Sequence, residues 1–213
     1  MIDLWVQQWR KQRARGEVYI VRFADDFVVG FQYRSDGDHV HRQLQSRLED
    51  FGLLLHEAKT RMIEFGRFAL SNRQARVLGK PETFNFLGFV HICTQQRSNG
   101  EFTVHRITIK KRQRTTTKRV KELLRKRINL NVHVQGQWLA SVVRGFYNYF
   151  GVPGNRKSLN AFRTQICRLW LRMLRRRSHK AAKYTWKKYQ SLVKRYIPSV
   201  KTVHPYPTQR LHV

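Results

Sequence analysis

Two adjacent carboxylates, Asp25 and Asp26, are the residues whose type and spacing most directly suggest chemistry. They lie between two runs rich in β-branched and aromatic residues, Val18–Phe23 and Phe27–Phe31, which are typical of strands. Side by side at a hairpin tip, two carboxylates repel each other unless water or a cation surrounds them. Hard oxygen ligands suit Mg²⁺, so the pair predicts either a magnesium site or an ordinary solvated turn.

The charges of this chain are unevenly distributed. Its 213 residues include 43 Lys and Arg against 13 Asp and Glu, a net charge of +30. Residues 1–102 hold 15 basic and 12 acidic residues, whereas residues 103–213 hold 28 basic residues and one acid, Glu122. A cationic half of this kind indicates a polyanionic binding partner. Nucleic acid fits best, because the neutralisation of its phosphates releases counterions. Membrane binding, the competing interpretation, would favour one basic amphipathic helix rather than a whole basic domain.

The two cysteines, Cys93 and Cys167, are far apart and each has apolar neighbours. We expect core thiols in a reducing compartment, because no second ligand pair follows at zinc spacing. No signal peptide and no transmembrane run is visible in the sequence. The cysteine spacing and the lack of a long apolar run therefore indicate neither a domain held together by a metal ion nor a membrane partner.

The first half of the chain predicts an α+β arrangement around the hairpin of residues 18–31. Its other predicted elements are a helix over 1–15, a turn at Asp36-Gly37-Asp38, a helix over 39–55, a strand over 62–66, a loop over 67–80, aromatic-rich strands within 83–92 and 102–109, and a turn at 98–100. A two-stranded hairpin is marginal by itself, so a helix must cover it.

From residue 110 the hydrophobic period changes from two residues to that of a helix. Four helices are predicted, over residues 115–130, 135–151, 157–177 and 183–196. Their aromatic and aliphatic stripes, including Trp186 in the last helix, are assigned to the core. Their arginine-rich faces carry no compensating acids, which favours contact with nucleic acid over a mere solvated face.

Four segments resemble, in the family's order, motifs of the reverse transcriptases encoded in group II introns, also called intron maturases. They are the palm motif at Arg22–Val28, the helix-to-strand motif at Gly52–Thr60, the primer-grip segment at Gly79–Phe89 and the maturase-domain segment at Val143–Phe150. The resemblance implies that residues 1–110 are the C-terminal part of a polymerase palm, a hairpin sheet with a packed helix. It implies that residues 111–213 form an all-α basic thumb, or maturase, domain.

The family's chemistry is RNA-directed DNA polymerisation, in which two Mg²⁺ ions help a 3′-hydroxyl attack an α-phosphate. The resemblance implies that Asp25 holds metal and that Asp26 belongs to the same site. It also implies that the primer or nucleotide contacts Phe23, Ala24, Leu87, Gly88 and Phe89. Lys59 is similar to a family lysine that gives a proton or a positive charge to the departing pyrophosphate.

Two of these assignments have plain structural alternatives. Lys59 is equally well interpreted as an ordinary lysine at a strand edge, and Leu87-Gly88-Phe89 as a bend in the core. Among the tyrosines of the maturase segment, Tyr147 and Tyr149 are both able to stack on bases, although one of them is expected in the core. The basic side chains expected to bind RNA are Arg144, Arg163, Arg168, Arg172, Arg175, Arg176, Lys187 and Lys188.

The implied partners are group II intron RNA and a DNA target or primer, in a cytoplasmic or organellar ribonucleoprotein. The family's earlier catalytic Asp and its fingers have no counterpart in this sequence, which predicts a missing N-terminal polymerase half and no polymerase activity from this chain alone. An inactive RNA-binding maturase module, or gene remnant, is the alternative. A cationic DNA-binding protein unrelated to introns is a weaker one.

Overall fold

The computed structural model describes residues 2–56, 58–96, 99–177, 182–183 and 185–205, which form an α+β fold. The described part of the chain contains seven helices and two small antiparallel sheets. The predicted α+β class is therefore confirmed. The chain divides into two compact units, Met1–Glu64 and Phe65–Val213, called here the N-terminal and the C-terminal unit.

The N-terminal unit is a β-hairpin with helices before and after it. Its elements are α1 (Ile2–Arg13), β1 (Val18–Phe23), β2 (Asp26–Phe31) and α2 (Arg34–Glu49). The strands are antiparallel, with Val18 opposite Phe31 and Phe23 opposite Asp26. One face of the hairpin is buried because Val18 packs with Val6 and Trp9 of α1 and Val40 of α2. The predicted first helix and hairpin are confirmed.

The segment Asp36-Gly37-Asp38 was predicted as a turn, and this prediction is wrong. It lies in α2, which begins at Arg34 and ends at Glu49 instead of running from 39 to 55. The Asp36 side chain is buried and accepts hydrogen bonds from the backbone N–H groups of Arg15 (3.0 Å) and Gly16 (3.3 Å). A carboxylate in the first turn also complements the positive end of the helix dipole, so an acidic cluster that resembles a turn begins a helix.

The sheet of the C-terminal unit contains three antiparallel strands in sequence order, β3 (Phe84–Phe86), β4 (Phe89–Gln95) and β5 (Phe102–Thr108). Leu87 and Gly88 connect β3 to β4, and both have positive φ angles, 48° and 80°. Two consecutive positive φ angles are typical of a tight type I′ hairpin. The predicted strands are confirmed, and of the predicted turn at 98–100, residue 98 lies outside the described residues.

The segment before this sheet differs from the prediction. Residues 62–66 form no strand, and the predicted loop over 67–80 contains a short helix, α3 (Ala69–Ala75). The segment contacts the sheet without pairing with it as a strand. The Phe65 ring packs edge-on against Phe84 at 4.9 Å, and the Gly66 N–H donates to the Cys93 Sγ at 3.2 Å.

Four helices follow the sheet and build the larger core. They are α4 (Lys110–Lys126), α5 (Val132–Phe150), α6 (Arg156–Arg175) and α7 (Trp186–Tyr196). Their apolar stripes meet in one cluster in which Leu124, Leu139, Phe162 and Trp170 are fully buried. The four predicted helices are confirmed, although α4 begins five residues earlier than predicted because its first turns are polar and lack the apolar period.

A buried glutamine joins three of these helices. The Gln135 Nε2 donates to the carbonyl oxygens of Arg127 (2.9 Å), Ile128 (3.1 Å) and Leu130 (3.1 Å), which lie at and beyond the end of α4. Its Oε1 accepts a hydrogen bond from the Trp170 Nε1 of α6 at 3.0 Å. The side chain therefore gives donors to carbonyls at and beyond a helix end, where intrahelical partners run out; of these, the Arg127 carbonyl also accepts from the Leu130 N–H at 3.0 Å.

The sheet and the helices of the C-terminal unit share one core. Phe89 of β4 belongs to the helical cluster, with its ring 5.2 Å from that of Phe150. Buried Asn155 accepts from the Thr108 N–H at 3.1 Å and donates to the Thr108 Oγ1 at 2.7 Å and to the Phe150 carbonyl at 2.8 Å. Packing thus divides the chain at 64/65, whereas the boundary at 110/111 stays a prediction about family domains.

Candidate functional site

The carboxylate pair lies at the tip of the β1–β2 hairpin, as the sequence predicts. Ala24 and Asp25 form the two-residue turn, and Asp26 is the first residue of β2. Both carboxylates are exposed. Ala24 has a φ of 52°, which is uncommon for a residue with a Cβ and costs of order 1 kcal/mol. The hairpin therefore holds two acidic side chains at a strained, solvent-facing tip.

An ion pair joins this tip to α1. The Arg22 guanidinium lies 2.7 Å from the Asp3 carboxylate, and its Nη1 donates to the Ala24 carbonyl at 3.2 Å. The hydrogen bond from Arg22 lowers the pKa of Asp3, and the same bond raises the pKa of Arg22. Arg22 is exposed and Asp3 is only half-buried, so water screens the pair and it contributes little stability. The ion pair connects Asp3 of α1 with Arg22 of β1.

Two carboxylates at one tip meet part of what Mg²⁺ needs. Their oxygens are the hard ligands that the ion prefers, and Mg²⁺ commonly takes one or two carboxylates with phosphates and water completing the octahedron. Within the described part of the chain, no group of three or more His, Cys, Asp or Glu side chains is arranged to hold a metal. The carboxylates of Asp25 and Asp26 therefore supply only two of the hard oxygen ligands that a Mg²⁺ site would need.

Phe23 and Lys59 also belong to the N-terminal unit. The Phe23 side chain is exposed and pairs across the hairpin with Asp26. Lys59 is exposed and lies in a turn, where its backbone N–H donates to the His56 carbonyl at 2.9 Å. It is therefore not at a strand edge. The pyrophosphate role of Lys59 and the primer contact of Phe23 and Ala24 stay predictions.

The Leu87-Gly88-Phe89 segment packs against the end of α5. The Leu87 carbonyl accepts a hydrogen bond from the Tyr149 hydroxyl at 3.0 Å, and Phe89 is buried in the helical core. A Cβ on Gly88 would lie 3.4 Å from the Phe150 ring, in a backbone conformation that favours glycine. These contacts agree with the interpretation as a core bend, and the primer contact of the segment stays a prediction.

The predicted RNA-binding arginines divide into two kinds. Arg144 on α5 is exposed. Arg163 on α6 is half-buried, and it donates from Nε to the Pro198 carbonyl at 2.9 Å and from Nη2 to the Ile197 carbonyl at 3.4 Å. Arg163 thus holds the chain that follows α7 against α6, and that contact occupies two of its donor nitrogens.

The remaining four predicted arginines line one groove. Arg168, Arg172 and Arg175 lie in α6 and Arg176 directly follows its end; all four are exposed, and Leu171 and Trp186 complete the wall. The groove is open to solvent and has a volume of about 550 Å³. We call it the arginine groove. Lys187 and Lys188 are exposed in the first turn of α7, next to Trp186.

Trp186 is the site residue that sequence reasoning missed. It was assigned to the core because of its helical spacing, yet 45% of its surface is exposed. Its position was a signal against the core, since it directly follows the N-cap Thr185 and precedes two lysines. The buried positions of α7 are instead Val193 and Tyr189, and the fully buried Tyr189 donates from its hydroxyl to the Cys167 carbonyl at 3.0 Å.

Comparison with protein families gives a match for the N-terminal part of the chain. Residues 1–91 match the family model of reverse transcriptase (RNA-dependent DNA polymerase). This segment is similar to reverse transcriptases. No curated protein matches the chain. The match supports a function related to RNA-directed DNA polymerases.

The reverse-transcriptase match includes the hairpin tip, Lys59 and the Leu87-Gly88-Phe89 segment. It ends in β4, so that the arginine groove lies outside it. None of the described helices combines the length and the apolarity that a membrane span requires. Residues 92–213 lie outside the reverse-transcriptase match.

Proposed function

We propose that the chain is part of a group II intron reverse transcriptase/maturase and binds intron RNA through its C-terminal unit, within a cytoplasmic or organellar ribonucleoprotein. The reverse-transcriptase match over residues 1–91 supports the polymerase relationship. The observation that carries the RNA-binding part is the arginine groove, which lies in a region of 28 basic residues and one acid.

The charge of this region supports a polyanionic partner. Glu122 is the single carboxylate residue of residues 103–213, so most of their 28 cations have no acidic partner in the same region. Guanidinium groups bind phosphate oxygens in a bidentate way, and neutralising phosphates releases counterions. Four arginines along the end of α6 and just beyond it match successive phosphates of a nucleic acid strand better than they match a single small anion.

The hairpin supports a metal-binding role in the N-terminal unit. Asp25 and Asp26 would hold Mg²⁺, which when bound stabilises charge on a transferred phosphoryl group as a Lewis acid. The hairpin itself keeps both carboxylates exposed to an incoming strand. Phe23, exposed on the same tip, offers an apolar surface for a primer end, and Lys59 offers a positive charge for a phosphate leaving group.

An RNA-binding module without polymerase activity is the second candidate, and the two-carboxylate donor set favours it. We expect no product from this chain in primer extension with Mg²⁺ on a poly(rA) template with an oligo(dT) primer, because two adjacent ligands complete only part of a two-metal site. Extended primer would contradict this expectation. Product that persists in the Asp25→Asn, Asp26→Asn variant would instead identify a contaminating polymerase.

Competition between nucleic acids tests the proposed partner. At about 150 mM salt, a structured group II intron RNA should displace a labelled fragment of the same RNA at a concentration at least ten-fold lower than duplex DNA does. Salt must be fixed, since several phosphate contacts lose orders of magnitude in affinity between about 50 and 200 mM. Equal competition by duplex DNA would favour the unrelated DNA-binding protein instead.

A further inference from the structure

The arginine groove contains an aromatic side chain that phosphate binding alone does not require. Trp186 lines it together with Leu171 and four arginines, and 45% of the Trp186 surface is exposed. An exposed indole has an apolar face that water solvates poorly, and it is among the best stacking surfaces that a protein offers to a base. Basic side chains beside such a face are typical of sites for single-stranded nucleic acid.

Buried contacts fix the two walls of the groove. One wall is the C-terminal half of α6, and the other is the first turn of α7. Tyr189 connects them, because its hydroxyl donates to the Cys167 carbonyl at 3.0 Å and its ring packs edge-on against Trp170 at 5.6 Å. The Trp186 ring lies 5.6 Å from Tyr189 and is thereby supported from within the core. The indole is thus held beside the guanidinium groups before any ligand binds.

The charge around the indole favours a phosphate on either side of a stacked base. Lys187 and Lys188 are exposed directly after Trp186, and the first turn of α7 adds the positive end of a helix dipole. Arg172 and Arg175 also lie in the last turn of α6, where cations complement the negative helix end. That stabilising role accounts for arginines but not for an exposed tryptophan among them.

We infer that the arginine groove binds an unpaired nucleotide of the RNA, with its base stacked on Trp186 and its flanking phosphates on Arg168, Arg172 and Arg176. This inference rests on the proposed RNA-binding function and deepens it. A base within a duplex has both of its faces covered by neighbours, so the groove selects unpaired positions such as loops and bulges. A phosphate-only surface would bind single and double strands alike.

The test compares a single-stranded RNA oligonucleotide with an abasic oligonucleotide of the same length, on the full chain. Trp186→Ala should weaken binding of the RNA about ten-fold, within the range measured for loss of one stacked base, and should leave binding of the abasic strand unchanged. Trp186→Phe should keep most of the affinity. Phe68→Ala is the matched control, because Phe68 is an exposed aromatic residue of the same unit outside the groove.

The possible outcomes separate this inference from the proposed function. Salt-dependent RNA binding that Trp186→Ala leaves unchanged, or an equal loss for the RNA and the abasic strand, would overturn the nucleotide site and leave RNA binding intact. No RNA binding by the native chain would overturn both. Displacement of the labelled RNA by poly-glutamate as effectively as by an unlabelled RNA oligonucleotide of equal total charge would assign the groove to an acidic protein and would also overturn the inference.

Discussion

Two buried tyrosines of the C-terminal unit differ in the partners of their hydroxyl groups. The Tyr189 hydroxyl donates to the Cys167 carbonyl, whereas the buried Tyr147 hydroxyl has no hydrogen-bond partner among the described residues. A hydrogen bond of this type contributes about 1 kcal/mol to the free energy of unfolding. Removing the Tyr147 hydroxyl breaks no such bond. Tyr147→Phe should therefore leave the free energy of unfolding within ~0.5 kcal/mol of the native value.

Tyr189→Phe is the matched variant, and urea denaturation should show it to be destabilised by about 1 kcal/mol. Both substitutions remove one oxygen from a buried phenol ring, so that a difference between them reports on the hydrogen bond alone. Equal losses in the two variants would contradict the assignment of the hydroxyl partners.

The burial of Tyr147 also predicts that the folded chain loses stability at alkaline pH. Burial raises the pKa of Tyr147 to about 12, above its ordinary value near 10. The folded chain therefore keeps a proton that the unfolded chain loses, and this contribution to stability is complete below about pH 10 and disappears as pH rises through about 12. Near pH 11.5 the loss amounts to about 2 kcal/mol.

Denaturant titrations of the native chain and of Tyr147→Phe, at pH 9 and at pH 11.5, measure this loss. The decrease in unfolding free energy should be smaller in the variant, since a phenylalanine does not titrate. Lysines titrate in both proteins, and their effect cancels in the difference. An identical decrease in the two proteins would show that Tyr147 ionises as readily in the folded state as in the unfolded one.

Residues whose role depends on local sequence were predictable, and those that depend on distant partners were not. The exposed position of Asp25 and Asp26 follows from the two strand patterns that surround them, and the arginines of α6 follow from helical spacing. Asp36, Gln135 and Asn155 are buried because backbone groups 20, 8 and 47 residues away need partners. The residues next to Asp36, Gln135 and Asn155 in the sequence give no sign of these distant hydrogen-bond partners.

At the scale of the elements, the end of α4 depends on one side chain. Gln135→Leu removes the amide that contacts the carbonyl oxygens of Arg127, Ile128 and Leu130, and it leaves the Trp170 Nε1 without its acceptor. We expect a destabilisation of about 2–3 kcal/mol in thermal or urea denaturation, because buried polar groups lose their partners. A decrease in the free energy of unfolding of less than about 0.5 kcal/mol would contradict the conclusion that Gln135 stabilises the end of α4.

Gln137→Leu is the control for this variant. Gln137 lies two residues later on the same helix and is exposed, so the same substitution there changes helix propensity and side-chain polarity without breaking a buried network. Its free energy of unfolding should stay within about 0.5 kcal/mol of the native value.

Hydrophobic period predicted the regular elements well and their ends poorly. The hairpin and the four long helices follow from periods of two and of about 3.6 residues. The acidic start of α2 and the basic start of α4 were missed because both helices begin with polar turns. The predicted strand over 62–66 was wrong, because these residues pair with no strand and Phe65 instead packs its ring against Phe84.

At the scale of the whole molecule, the two units differ in charge and in resemblance to known proteins. The reverse-transcriptase match covers the N-terminal unit and ends in β4 of the C-terminal unit. The basic excess lies almost wholly after that match, in residues 103–213. Composition alone predicts a polyanionic partner, which stays a prediction, whereas the grouping of four arginines and Trp186 around one groove follows from the packing of α6 against α7.

The central claim, that the arginine face of α6 contacts RNA phosphates, is tested most directly by the salt dependence of RNA binding. Each phosphate contact contributes about 0.7–0.9 to the slope of log affinity against log salt. The double variant Arg168→Gln, Arg172→Gln should therefore reduce the slope by about 1.5 relative to the native chain. The control Lys11→Gln, Arg13→Gln removes two exposed charges from α1 and should leave the slope unchanged. A native slope in the α6 variant, or an equal reduction in both variants, would contradict the account.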